Sequence, residues 1–249
     1  MIHPTHLLAA TVTWLVVSPI AGAGTPTGCP PGSTAGDEIV CSDGADVHDG
    51  DAGDDLIRGL RGNDRLGGGA NDDRVFGDSG IDSLSGDSGD DRLRGGSGGD
   101  LLYGETGADD LLGGTGADAL AGSIDDDRLM GGPGTDQLQG ERGADSITGG
   151  DDADVLNGGA GGDFLDGRWG DDRIYGAGGG DDIAGSTGAD RIDAGAGRDH
   201  VSGGDGDDEI LAADRSKDRV RCGPGTDRVT VDEVDVVAAD CEAVEVARR

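Results

Sequence analysis

Twenty consecutive nonapeptides, running through residues 32–211 without insertion or deletion, leave this chain few ways to fold. Position 6 of the unit is aspartate in all 20, from Asp37 to Asp208, and position 8 is Leu, Ile or Val in 19, His48 being the exception. Glycine stands at position 1 in 18 units (Cys41 and Ala194 replace it) and at position 4 in 16, with Ala35, Asn71, Asp125 and Asp152 in the others. A ten-residue unit, 212–221, then adds one residue, and a last in-pattern nonad occupies 222–230. So short a period selects a solenoid, in which no unit buries its apolar side alone and stacking builds the core.

Each nonad divides into two physical halves. The first six residues are expected to turn, with glycines at 1 and 4 supplying positive φ or room free of Cβ. Asn and Asp are the other residues that tolerate the left-handed region, so Asn71, Asp125 and Asp152 are mild replacements. The last three, x-apolar-x, predict a minimal strand with its middle side chain inward. Two nonads make one coil, and twenty predict about ten coils, roughly 4.8 Å apart, in a rod about 45 Å long. The expected fold is all-β, a solenoid of stacked nine-residue repeats with a capping C-terminal segment.

Composition narrows the partners. There are 53 glycines, and aromatic residues make up 2% and hydrophobic residues 33% of the chain. That is too little apolar surface for an ordinary globular core. With 52 acidic residues against 19 basic the net charge is -33. Such a balance argues against nucleic acid and points to cations.

The ends differ from the middle. An apolar stretch, 7–20, followed by Ala21-Gly22-Ala23 resembles an export signal cleaved after Ala23, although its first residues carry no Lys or Arg. The rival, a membrane anchor, is disfavoured by Pro19 and by length, so no stable membrane insertion is expected. The expected divisions are therefore a signal peptide at 1–23, a lead-in at 24–31, the repeat roll at 32–230 and a C-terminal cap at 231–249. The product would be a secreted, extracellular protein. Cys29, Cys41, Cys222 and Cys241 allow three disulfide pairings, and their positions favour Cys29–Cys41 and Cys222–Cys241, one at each end. Zinc is the alternative, without a CxxC or a nearby histidine to support it.

The unit Gly-Gly-x-Gly-x-Asp-x-(Leu/Ile/Val)-x resembles the repeats-in-toxin, or haemolysin-type, calcium-binding nonapeptide, over 32–211 and less perfectly to Thr230. That resemblance implies a parallel β-roll (right-handed β-solenoid) with calcium between turns two nonads apart, held by position-6 carboxylates and turn carbonyls. One row of implied ligands is Asp55, Asp73, Asp91, Asp109, Asp127, Asp145, Asp163, Asp181 and Asp199. The other is Asp64, Asp82, Asp100, Asp118, Asp136, Asp154, Asp172, Asp190 and Asp208. Asp37 and Asp46 stand outside the set because the first two nonads lack much of the pattern. Calcium takes six to eight hard oxygens in flexible geometry, whereas softer metals prefer His or Cys. About 18 ions would bring roughly +36 against the chain's -33. The repeat is expected to be expanded without calcium and to fold on binding it.

Outside the repeat no segment suits a catalytic domain, and neither His-Glu-x-x-His nor Gly-x-Ser-x-Gly occurs, so no enzyme is expected. An extracellular adhesion or ice-binding rod using calcium only as scaffold is the alternative. Position 3 has Thr only at 34, 106, 115 and 187, too few for an ice-binding row, while a calcium buffer stays open. No protein or cell-surface partner is indicated. The arginines at position 7 (65, 74, 92, 128, 173 and 191) are expected outward, in surface ion pairs. His48 is expected inward, His200 outward and Trp169 exposed in a turn.

Overall fold

The structure, a computed structural model, describes residues 28–32 and 35–247. The expected signal at 1–23, with Trp14 inside it, and Thr34 lie outside the described residues. Twenty-five strands, β1 (Glu38–Val40) to β25 (Ala243–Val246) in chain order, form two parallel sheets of 12 and 13 strands. The chain alternates between the sheets, so strands pair with those a full coil away. Ala119↔Gln137 and Leu120↔Leu138 are such pairs on one side, Arg128↔Ser146 and Leu129↔Ile147 on the other. At one coil Arg191–Asp193 and Ala196–Gly197 together take the place of a single strand beside Arg173–Gly179. The result is a solenoid of about 12 turns without a helix among the described residues.

The stack is longer than the ten coils expected from the regular nonads, because the later units continue it. The ten-residue unit takes up its extra residue in the turn, where Arg215 adopts φ 87°, and Arg219–Arg221 still pairs in register with His200–Ser202. Val236–Val237 and Ala243–Val246 then extend each sheet by one strand. Val237 and Cys241 pack against the core there, while Val234, Val236, Val244 and Val246 stay 42–49% exposed.

The strands are also longer than expected. Most run through positions 7–9 of one nonad and 1–3 of the next, as in Leu101–Thr106 and Ala119–Ile124. Backbone groups beyond the x-apolar-x segment find partners one coil away, as in Gly50 N–H donating to the Gly67 carbonyl (3.0 Å) and Gly98 N–H to Thr115 (2.9 Å). An unpaired backbone group inside the stack would cost more than the corner it has to turn.

That corner divides the two roles expected of the glycines and adds a left-handed residue at position 2. Positive φ falls at positions 2 and 4, not at 1 and 4. From the third nonad onward position 2 is left-handed even where it is Leu60 (φ 75°), Glu141 (76°) or Arg168 (79°). Position 1 needs glycine for space instead: a side-chain carbon at Gly113 would lie 2.5 Å from Asp118 Oδ2 and 2.8 Å from the Gly131 carbonyl oxygen.

Inside, the position-8 side chains form two facing rows that merge into one core, with Leu84, Leu102 and Leu120 stacked in register and fully buried. Each contributes about 1.5–3 kcal/mol of burial. His48 takes the inward place in its unit, 5% exposed. Both favoured disulfides are formed, Cys29–Cys41 and Cys222–Cys241, closing the two ends of the roll.

Candidate metal centre

Position 6 is the last residue of each turn and points its carboxylate back under the glycines. Its two oxygens have different fates. Oδ1 accepts a hydrogen bond from the backbone N–H of the position-6 aspartate one coil earlier: Asp55 N–H to Asp73 Oδ1 at 2.7 Å, Asp100 N–H to Asp118 at 2.7 Å, Asp163 N–H to Asp181 at 2.9 Å. Each edge of the roll carries one such ladder. The ladders end on carboxylates of the last coil, Asp235 accepting from Asp218 N–H (3.0 Å) and Glu242 from Asp227 N–H (3.2 Å).

Oδ2 has no partner. It is buried and makes no hydrogen bond in Asp55, Asp64, Asp73 and every later position-6 aspartate to Asp208. All eighteen expected aspartates thus stand in the two rows, each at most 3% exposed. Asp218 and Asp227 share the same burial and the same orphan oxygen, and were missed from sequence. The signal was present: Asp227 stands at position 6 of the in-pattern nonad 222–230, and Asp218-Arg-Val220 repeats the Asp-x-Val pattern one residue late in the ten-residue unit. The first coil differs: both oxygens of Asp46 are taken up by Ser42, at 2.9–3.2 Å. The Cys29 and Cys41 sulfurs nearby are joined to each other, so that cluster is not a metal centre.

Stacked buried carboxylates are electrostatically frustrated. Burial, foremost, pushes Asp127 and Asp154 up to about 8, and like charges along and beside the row add to it; the hydrogen bond from the preceding backbone N–H opposes the shift. The same causes raise Asp91, Asp136, Asp181 and Asp190 to about 7, and Asp73, Asp100, Asp109, Asp145, Asp172 and Asp208 to about 6. Such a row calls for protons or cations.

The space beside the orphan oxygen is lined by oxygen. The point 2.5 Å from Asp154 Oδ2 that a side chain at Gly149 would fill is also 2.8 Å from the Gly167 carbonyl oxygen. A carboxylate oxygen and a carbonyl from successive coils therefore converge, repeatedly, where glycine leaves room. All these donors are hard and none is nitrogen or sulfur, a set that suits calcium.

Fold and donor set together define a β-roll of the calcium-binding class. The comparison with protein families agrees: segments 42–75, 49–84, 85–120, 121–156, 130–165, 148–183 and 175–210 match the RTX calcium-binding nonapeptide repeat (4 copies). The chain belongs to that family, whose β-roll is structural and binds calcium. A search of the curated proteins found no match.

The arginines depart from expectation. Of the six at position 7, Arg191 alone meets a carboxylate, Glu209 at 3.5 Å, among the described residues. They project from the flat sheets, whereas many acids sit at the turns, beyond their reach. His200 lies outward as expected, its Nε2 accepting from Arg219 at 3.0 Å, and Trp169 is 58% exposed.

Proposed function

We propose that this protein is an exported calcium-binding module whose roll folds when calcium enters the two edge rows. The observation that carries the reading is the unpartnered, buried Oδ2 repeated every coil at the mouth of a glycine-lined, carbonyl-bearing space. The ligands are the Oδ2 atoms of Asp55 to Asp208 in both rows, with Asp218 and Asp227 added, and turn carbonyls complete each shell. An ion there supplies the charge that the buried carboxylates lack and ties successive coils together. Up to roughly 18 ions follow from the regular nonads if every gap between adjacent coils is filled.

Folding on binding follows from the same balance. One inward side chain per nonad offsets little of the entropy of ordering a glycine-rich chain, so binding energy is folding energy here. Two disulfides support export, since such bonds persist in oxidising compartments, and extracellular modules work at Kd values of about 10⁻⁴–10⁻³ M for calcium. The divisions at residues 23, 31 and 230 belong to this proposal.

The test is a calcium titration of the chain from Gly24 onward, followed by calorimetry and far-ultraviolet circular dichroism together. Many ions bound with a cooperative gain of β signal is the expected result. A spectrum unchanged by calcium and by chelator would overturn folding on binding, and no bound ions would overturn the metal assignment itself.

A further inference from the structure

In a chain of net charge -33 one sheet face carries unneutralised positive charge. The 12-stranded sheet presents Arg74 and Arg92 as direct cross-strand partners, Arg94 diagonal to Arg74, and Arg128 two coils beyond Arg92. No carboxylate lies within ion-pairing distance of any of these four, among the described residues. Asp110, in register between Arg92 and Arg128, is the one acid in the group and also makes no ion pair. Like charges placed directly opposite on a sheet oppose folding, so Arg74 against Arg92 costs stability unless an anion sits between them. Arg58, by contrast, is neutralised by Asp78 at 3.0 Å and rests 5.9 Å from the centroid of the Phe76 ring.

The four arginines, with Asp110 among them, line an open groove of about 310 Å³. Its base holds the half-buried position-9 side chains Leu112 and Met130 of adjacent coils and, across Arg94, which stands between them in register, Phe76. A shallow groove with apolar side chains at its base and several guanidinium groups at its rim can seat a small molecule that has both an apolar and an anionic part. Guanidinium groups, weakly hydrated and forked, favour carboxylate, sulfate or phosphate oxygens. Neither feature alone picks the ligand. Charge without a floor would take any inorganic anion, and a floor without charge any apolar molecule.

We propose that this groove binds an amphiphilic organic anion, a short acyl or aryl body carrying one carboxylate, sulfate or phosphate group. The body lies on Phe76, Leu112 and Met130 and the anionic head lies among Arg74, Arg92 and Arg94, with Arg128 at the far end. The site requires the folded roll and is independent of where calcium binds; calcium filling the edge rows removes the long-range repulsion that an anion would otherwise meet.

Octyl sulfate, below its micelle concentration and in calcium-containing buffer, is the probe, with isothermal calorimetry as the measurement. Saturable binding of one molecule per chain is expected, at least tenfold tighter than inorganic sulfate and than octyl glucoside. Arg92→Ser with Arg94→Ser should weaken it at least tenfold and Phe76→Ala several-fold, whereas Arg173→Ser on the other sheet should leave it unchanged. Position 7 of this sheet already holds Ser146, its position 9 holds Ala184 and Ser202, and position 7 of the other sheet holds Ser83, so such replacements suit the fold, and circular dichroism of each variant reads folding separately from binding. Inorganic sulfate binding as tightly as octyl sulfate would overturn the proposal. So would binding only to vesicles of phosphatidylcholine with phosphatidylglycerol, or self-association of the protein abolished by the same arginine substitutions.

Discussion

A position-6 aspartate uses one oxygen to hold the coil before it and keeps the other free. In Asp127, Oδ1 accepts from Asp109 N–H at 2.9 Å while Oδ2 is buried without a partner. Asp127→Asn keeps an acceptor for that N–H and removes the charge. With calcium present this variant should lose one or two ions in calorimetry and about 1–2 kcal/mol of stability, lowering Tm by roughly 2–4 °C per kcal/mol. Protons compete for the same oxygens. Carboxylates such as Asp73 and Asp127 are raised in the fold to about 6 and about 8. They bind more protons there than in the unfolded chain, where the value is about 3.9. Their stabilising contribution to the metal-free fold is therefore fully present below pH ~4 and lost as pH rises through ~6–8. Chelator-treated protein should gain β signal on acidification from pH 8 to 5, while the calcium-loaded protein should release its ions over the same range. Calorimetry at pH 7 in two buffers of different ionisation enthalpy should detect protons released as calcium binds.

Within the coil, the inward row and the turn make separate demands. Leu102 is fully buried between Leu84 and Leu120. Leu102→Ala should cost about 2–5 kcal/mol, read as a loss of Tm with little change in calcium stoichiometry. Gly98→Ala should be worse. Gly98 has φ 136°, and a side-chain carbon there would run into the Gly80 carbonyl of the previous coil. Circular dichroism at fixed calcium should find it the less folded of the two. The alternation of strand and turn was legible in the apolar beat at position 8 and in the invariant aspartate. The left-handed residue at position 2 was not, because Leu60, Glu141 and Arg168 occupy it without a compositional sign. Backbone hydrogen bonds between coils outweigh the roughly 1–2 kcal/mol cost of that conformation.

As a whole the molecule is a stack in which each coil touches only its neighbours, so its stability is close to a sum of coil and interface terms. Deleting 95–112, one whole coil, keeps every later strand on its own sheet. The shortened roll should fold, with about two fewer calcium ions and a shorter radius of gyration by small-angle scattering. Deleting a single nonad would send every later strand to the opposite sheet and should fold poorly. The disulfides span sequence separations of 12 and 19. Each closes a loop worth about 3 kcal/mol. Reduction should fray the terminal coils first, measured as faster amide exchange there than in the central strands.

The periodic sequence by itself determined the stacked coils, the inward row and the recurrence of the aspartate, because each depends on spacing along the chain and a coil of two nonads turns spacing directly into neighbourhood; it favoured the disulfide pairing without deciding it. It left Asp218 out of register, since one inserted residue breaks a count without breaking a ladder of hydrogen bonds, and Asp227, in pattern beyond that insertion, was not carried into the two rows. Only the tertiary structure decided which aspartate oxygen is left bare, what space glycine leaves at position 1, and that Arg74, Arg92, Arg94 and Arg128 stand together without an ion pair among the described residues. Those facts depend on what lies across the gap between coils and beyond the edge of a sheet, and a one-dimensional pattern carries no measure of either distance.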